Sequence, residues 1–313
     1  MIDTKLLLIS HVADEDGITP VILSKLVYKE VDTILLNPGE VDKALLENID
    51  KYELIHITDL SITEELAKKI DENDEYKNKV KLFDHHATAL PLNKYSFAKV
   101  VVETETKKES GTSLYYEYLL SISDNEILHK NTTKSFVNEV RIIDTYDFKT
   151  EEEKKSLNLN YLFGILGREN YIEYFTNFII QKDKFEYGEK EQLLIKLEKD
   201  RVDNYIKQKE KEIIFAKIDN YDVIVVYAES NRSLLGNYLV GKYDIDFAIV
   251  INISRSISYR GKDKVDLSLF AKKYDGGGHK NASGSPLPND ILKTITKKLF
   301  KKVDFKKEET KNE

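Results

Sequence analysis

The 313-residue sequence has no cysteine. Disulfides, thiolate metal sites and cysteine nucleophiles are therefore all excluded, and any metal must be held by His, Asp, Glu or backbone oxygen. No apolar run approaches a membrane-spanning length. The N-terminal "MIDTKLLLIS" lacks the basic start and cleavage-like site of a secretion signal, so a soluble cytoplasmic protein with no membrane partner is expected. A basic surplus is also missing. The formal net charge of −7 argues against a binder of bulk duplex DNA but does not exclude a short oligonucleotide or a nucleotide held in a local basic pocket. What the chain does have is 41% hydrophobic residues, enough for real cores, and a length that favours two domains.

Short apolar runs alternate with helical periodicity in the first half. "KLLLIS" (5–10), "VDTILLN" (31–37), "YELIHITD" (52–59) and "KVKLFD" (79–84) read as buried strands. Helices are expected between them over 16–30, 40–48 and 63–73, with Pro20 in the first turn of its helix, where its missing N–H has no partner anyway. This order predicts an α/β fold, a parallel sheet flanked by helices. Residues 110–183 read as mostly helical. The Lys- and Glu-dense segment 184–213 reads as a solvated helical linker. Beyond it a smaller α/β C-terminal domain is expected over 214–306, with strands at 221–228, 246–254 and 256–261, a helix near 289–302 and a fraying charged tail at 307–313.

Ligands of open parallel sheets bind beyond the carboxyl ends of the strands. The first strand ends in "SHVADEDG", which places His11, Asp14 and Asp16 there; the third places Asp59; the fourth ends in "FDHHAT", with Asp84, His85 and His86. A further acidic cluster, "RIIDTYDF", carries Asp144 and Asp147 at the end of an apolar helix. Taken singly, each has an ordinary reading. Asp16-Gly17 makes a turn, Asp59 caps the helix near Thr63, Asp144 stops a helix, and His56 is a hydrogen-bonded core residue. Together they are harder to dismiss, because clustered carboxylates raise one another's pKa unless a cation neutralises them. His with several Asp and no Cys suits Mn, Fe or Zn better than Ca, and about six ligands exceed what one tetrahedral ion needs, which suggests two metals.

At these residues the sequence resembles the DHH phosphoesterase superfamily, through "HVADEDG", "ITDLS", "FDHHAT" and "IDTYDF" in order, and through "GGGHKNASG" (276–284), the mark of the DHH-associated C-terminal domain. The stretch from His85 through "SGTSLYYEYL" is most similar to the nano-RNase (oligoribonuclease) and cyclic-nucleotide phosphodiesterase branch. The resemblance implies a catalytic domain over 1–183 and a substrate-binding domain over 214–306. It also implies two divalent cations, manganese first, with magnesium, cobalt or iron as alternatives. His11 and Asp14 would hold one ion, Asp16, His85 and Asp144 the other, and Asp59 would bridge them. Asp84 would orient a ligating histidine, and His86 would face the substrate phosphate. The spacing His-x-x-Asp-x-Asp at His11–Asp16 lies between the two spacings of the relatives, and Asp147 has no family role and reads as a surface acid.

The expected chemistry is attack on phosphorus by water made acidic between two cations about 3.5–4 Å apart. In the C-terminal domain, Gly276, Gly277 and Gly278 would let backbone N–H groups approach a phosphate, with His279 and Lys280 as donors and a helix opening after them. Arg260 in "SYRGK" would grip a terminal phosphate, while Asn231, Ser233 and Asn237 read as a helix cap. The leading expectation is a metal-dependent phosphodiesterase that releases nucleoside monophosphates from short RNA. A cyclic (di)nucleotide phosphodiesterase, a pAp phosphatase and a non-catalytic RNA- or nucleotide-binding protein are the alternatives. Partners are expected to be short RNA or small nucleotides, and possibly a second copy as a homodimer.

Overall fold

The computed structural model describes residues 1–150, 152–253, 256–288, 290–300, 302 and 303. The expected tail, 307–313, lies outside the described residues. The chain divides into two compact units, Met1–Asp200 and Arg201–Glu313. Among the described residues no helix is long and apolar enough to cross a membrane.

The first unit is built on β1 (Leu6–His11), α1 (Glu15–Val27), β2 (Val31–Leu36), α2 (Val41–Asn48), β3 (Leu54–Thr58), α3 (Glu64–Asp71), α4 (Asp74–Lys79), β4 (Val80–Asp84) and β5 (Ala98–Val100). The five strands are all parallel, in the order β2-β1-β3-β4-β5. The first five residues of β1 are fully buried, as a strand covered on both faces must be. One layer of cover is α1, whose residues are all buried except Lys25. It is hemmed in by α5 (Gly111–Ile122), α7 (Asn131–Thr145) and α8 (Leu157–Gln181, kinked at Gly167), with the short α6 (Glu126–His129) between α5 and α7. The opposite face packs β1, β3 and β4 against α2 and α3 through Leu7, Ile9, Leu45, Ile55, Ile57, Leu66 and Leu82. Chain order reverses at β1, which lies between β2 and β3, and such a switch point opens a crevice at the carboxyl ends of the strands.

Helix α9 (Glu189–Lys209) carries the division between the units. The second unit holds β6 (Ile214–Ile218), β7 (Tyr221–Tyr227), α10 (Arg232–Lys242), β8 (Phe247–Asn252), β9 (Ser256–Gly261), α11 (Leu267–Lys272), β10 (Gly277–His279), β11 (Ala282–Pro286) and α12 (Ile291–Leu299). Its six-stranded sheet runs β10-β11-β9-β8-β7-β6, with only β7 and β8 parallel, as the crossover through α10 requires. Val223, Phe247, Ile249, Tyr259 and Phe270 form its core beneath α11.

Two local expectations are corrected. Pro20 is not in the first turn of α1 but in its second, where its missing N–H leaves the carbonyl of Asp16 without its helical partner. The hydroxyl of Thr112 donates to that carbonyl instead, at 2.7 Å. No helix opens after the glycine run. Residues 277–286 form the β10–β11 hairpin instead, in which the chain turns at Lys280–Asn281 and His279 pairs with Ala282.

Candidate metal centre

The carboxyl ends of β1, β3 and β4 deliver the expected residues to one place. His11 is the last residue of β1, and Asp14 caps α1 by accepting from Gly17 N at 3.1 Å. The tight return from β1 to α1 needs a glycine, since a Cβ on Gly17 would lie 2.1 Å from the carbonyl oxygen of His11. Asp59 follows β3 in the left-handed region (φ 54°), so it does not cap α3; Thr63 does, by accepting from Leu66 N. Asp84 ends β4, and His85 and His86 follow directly. Asp144 comes from the last turn of α7, which ends at Tyr146 in the left-handed conformation rather than at Asp144 itself.

Asp59 stands at the centre. Its Oδ2 lies 3.5 Å from His11 Nδ1, and its Oδ1 lies 3.2 Å from His85 Nε2. His11 Nδ1 is also 3.2 Å from Asp14. His85 Nε2 is 3.3 Å from Asp144 Oδ2 and 3.7 Å from Asp16 Oδ2. Ligand atoms of His11, Asp14 and Asp59, and those of Asp16, Asp59 and His85, fall within 4.8 Å of one another. Thus the expected ligand residues gather in two overlapping groups that share Asp59.

A shell of neighbours fixes these groups. Both oxygens of Asp16 accept from the N-terminus of α5, from Gly111 N at 2.8 Å and Thr112 N at 2.9 Å. Gly111 permits this approach, because a Cβ there would come within 2.7–2.8 Å of Asp59. Beneath them, Ser10 Oγ donates to Gly17 O at 2.6 Å, and Thr58 Oγ1 donates to Ser10 at 2.7 Å. Asp84 Oδ1 accepts from the backbone of His85 (2.7 Å) and His86 (3.2 Å) and pairs with His86 Nδ1 at 2.7 Å. The imidazole that Asp84 holds is therefore that of His86.

Electrostatics describe a site crowded with charge. Burial disfavours the His11 imidazolium, but hydrogen bonds to Asp14 and Asp59 outweigh it and hold the pKa up to about 11. His85 behaves alike: burial is overcome by Asp144, Asp59 and Asp16, and its pKa stands well above the ordinary value. Burial and the charge of Asp59 push Asp16 up to about 6, and burial with the charges of Asp16, Asp59 and Asp14 pushes Asp144 well above the carboxylate range. Asp59 moves the other way. Burial would raise it, yet its bonds to the two histidines hold it low. Without cations, protons on these groups compensate the crowding. Four carboxylates (Asp14, Asp16, Asp59, Asp144) carry the charge that two divalent cations would balance, and the buried Asp144 Oδ2 accepts no hydrogen bond. A divalent pair with hard oxygen and imidazole ligands fits this donor set.

Other expected residues fall as follows. Asp147 is no surface acid: it is half-buried and pairs with the buried Arg141 at 3.2 Å, bracing the end of α7 near Asp144. His56 is fully buried and shares a hydrogen bond with Tyr115 at 2.9 Å, as a core histidine should. In the second unit, Arg260 donates to Ser233 Oγ (2.5 Å) and to its neighbour's carbonyl, Tyr259 O (2.9 Å). Gly277, Gly278 and His279 form β10, Gly276 precedes it, and Lys280 is exposed 3.5 Å from Asp263. Asn231 occupies the N-cap position of α10 at φ 50° but makes no capping bond; its amide donates to Ser230 Oγ. The sequence reading passed over Glu15, a buried carboxyl of α1 that burial pushes up to about 7, and the Gly111–Thr112 cradle. A serine followed by glycine at the start of a helix is the local sign such a cradle leaves.

No known family profile matches the chain. Individual proteins do. The chain is 30% identical over 302 residues to "Oligoribonuclease NrnB" of Bacillus subtilis (strain 168), an alignment spanning 92% of this chain and 74% of that one. It is 26% identical over 329 residues to a 3′,5′-cyclic-nucleotide phosphodiesterase of Helicobacter pylori, spanning 89% of this chain and 92% of that one. Among solved structures, the DHH domain of a member of a ribosomal-protein family shares the fold, with a TM-score of 0.55 at 15% identity over 95% of this chain and 86% of that one.

Proposed function

Because this chain belongs to the DHH phosphoesterase family, with oligoribonuclease NrnB among its relatives, we propose that it is a phosphodiesterase that hydrolyses short oligoribonucleotides to nucleoside monophosphates with two divalent cations. The observation that carries the reading is Asp59, whose two oxygens address His11 on one side and His85 on the other. His11 and Asp14 would hold one cation, and Asp16, His85 and Asp144 the second, with Asp59 between them. The chemistry such cations supply is the acidification of water and the neutralisation of charge on a phosphoryl group. Manganese is the first candidate among the hard divalent ions.

The chain's own residues do the rest. The α5 N-terminus orients the Asp16 carboxylate through two backbone donors, so no rotamer search precedes binding. Asp84 holds the His86 ring and, against the effect of burial, keeps its pKa raised, which favours the imidazolium that would donate to a phosphate oxygen or to the departing oxygen. Buried Ser10 and Thr58 stiffen the floor at the strand ends. The reading includes a cytoplasmic setting, where RNA turnover yields such fragments.

The test is incubation of purified protein with Mn²⁺ and a labelled RNA dimer, which should release monophosphates and stop on chelation. A parallel panel of pAp and cyclic mono- and dinucleotides, with Mn²⁺, Mg²⁺ and Co²⁺, fixes the substrate class. Activity confined to cyclic nucleotides would favour the second reading, which the Helicobacter pylori relative supports. A protein that binds RNA equally well after Asp84→Ala and His85→Ala and cleaves nothing would be a binding protein instead.

A further inference from the structure

Along β9 the side chains alternate, so Ser256, Ser258 and Arg260 share one face of the second sheet, while Tyr259 faces the core under α11. Helix α10 lies on the serine–arginine face: a Cβ on its Gly236 would stand 2.7 Å from Arg260 Cγ and 3.5 Å from Val250. The first residue of α10, Arg232, belongs to none of the motifs above. Its Nη1 donates to Ser256 Oγ at 2.8 Å and to Ser258 Oγ at 3.2 Å. The next residue, Ser233, accepts from Arg260 at 2.5 Å. Two guanidinium groups are thus steadied on one face by hydroxyls. An anionic oxygen is a stronger acceptor for a guanidinium than a neutral hydroxyl is, so a doubly charged anion can take the place of the serines.

Beside the two arginines, His279 apart, the floor carries only glycine and alanine. Directly paired residues share a face, and the register gives the rows Arg260–Ala282–His279 and Ser258–Gly284–Gly277. Of the three consecutive glycines, two answer to the fold. A Cβ on Gly276 would lie 2.1 Å from Gly284 O, and Gly278 has φ +132°. Gly277 answers to neither demand: its φ is ordinary, and a Cβ there would meet no atom within 4 Å. A glycine the fold does not require, on that floor beside two arginines, suits the close approach of a ligand.

We infer that Arg232 is a specificity-determining residue which, with Arg260, forms a two-guanidinium site for a terminal phosphomonoester. The chain therefore prefers short oligonucleotides that end in a phosphate over those that end in a hydroxyl. A phosphomonoester carries about −1.5 to −2 charges at neutral pH against −1 for an internal diester, and a second guanidinium discriminates between them. The inference rests on the short-oligonucleotide reading above.

The experiment measures the dissociation constants of the full chain, in EDTA, for an RNA dimer with a 5′-phosphate, one with a 3′-phosphate and one with neither. The wild type should favour one phosphorylated dimer by about 10- to 100-fold, and that dimer tells which end is gripped. Arg232→Ala should bring the ratio close to one. Arg232→Gln, which can still bond the two serines, should do the same if Arg232→Ala fails to fold, and Arg232→Lys should keep an intermediate ratio. Equal affinity of the wild type for all three dimers, no detectable binding of the phosphorylated ones, or variants that weaken all three by one factor would overturn the inference. Since EDTA removes the metals, the ratio is read whether or not the enzyme cleaves RNA. An enzyme that cleaves dimers but binds them all equally loses only this inference.

Discussion

The two units prepare for charge in opposite ways. In the first, acids and imidazoles are taken out of water before any partner arrives: Asp16, Asp59 and His85 are almost fully buried, and the protonation of each is displaced. In the second, Arg232 and Arg260 are half-buried and bond to serine hydroxyls. A buried, frustrated cluster binds a small cation tightly because the cation relieves a cost already present. A half-exposed pair of arginines binds an anion reversibly, since solvent remains an alternative partner. The residues that would hold metal are thus set apart, in burial and in electrostatics, from those that would read and release a substrate.

The sharpest way to break this contrast is to unload the first site. Asp59→Asn keeps a residue tolerant of the left-handed backbone and removes the shared carboxylate, so hydrolysis should fall by roughly 10³-fold or more. Mn²⁺ should raise the melting temperature of the wild type, and the same variant should lose that rise. If it keeps both, Asp59 is not the shared ligand.

A second test asks whether burial in the first unit has the expected sign with pH. Burial pushes the His56 imidazole down to about 3, well below its ordinary 6.5. The folded protein then keeps His56 neutral while the unfolded chain takes up a proton, so the contribution is intact above pH 6.5 and erodes as pH falls towards 3. Between pH 7 and pH 5 the loss should be about 2 kcal/mol. Urea unfolding of the wild type against His56→Gln isolates it, because other histidines with raised pKa values act in the opposite direction and cancel in the difference. An equal slope for both proteins would count against a neutral, buried His56.

The support of Asp16 gives a smaller effect. Thr112→Val should cost about 1–2 kcal/mol by leaving the Asp16 carbonyl unpaired. Pro20→Ala, added to it, should recover part of that loss by returning the N–H that the helix lacks. Two strictly additive changes in unfolding free energy would mean that the hydroxyl and the proline are uncoupled. The smallest effect belongs to the second unit: Gly277→Ala should change stability by no more than about 0.5 kcal/mol while weakening the phosphorylated dimer, a split that thermal melts and binding titrations read together.

Much of this was legible in the sequence, because strand ends in a parallel sheet are local features and the polar residues follow apolar runs directly. His11, Asp59 and His85 could be placed at one edge before any coordinates. What stayed hidden depends on contacts between distant segments. Thr112 meets Asp16 across 96 positions, and no pattern near either residue announces that a proline has freed a carbonyl. The three-residue β5 and the hairpin of β10 and β11 are too short for periodicity, and glycine-rich strands look like loops. Arg232 resembles any helix-opening surface residue until β9 supplies the serines beneath it. Asp147 reads as exposed because its partner, Arg141, lies back along α7, and only the left-handed turn at Tyr146 folds the acid onto it.

The bare position at Gly277 also has a practical side. This chain contains no thiol, so a single Gly277→Cys substitution would create one unique attachment point, on a backbone that tolerates a side chain and with nothing nearby to displace. A bulky group coupled there would fill the floor, so a nucleotide that settles on it should bind less tightly after labelling than before. The same bareness that would admit a substrate thus offers a place to shut it out by chemistry alone, with no other change to the chain.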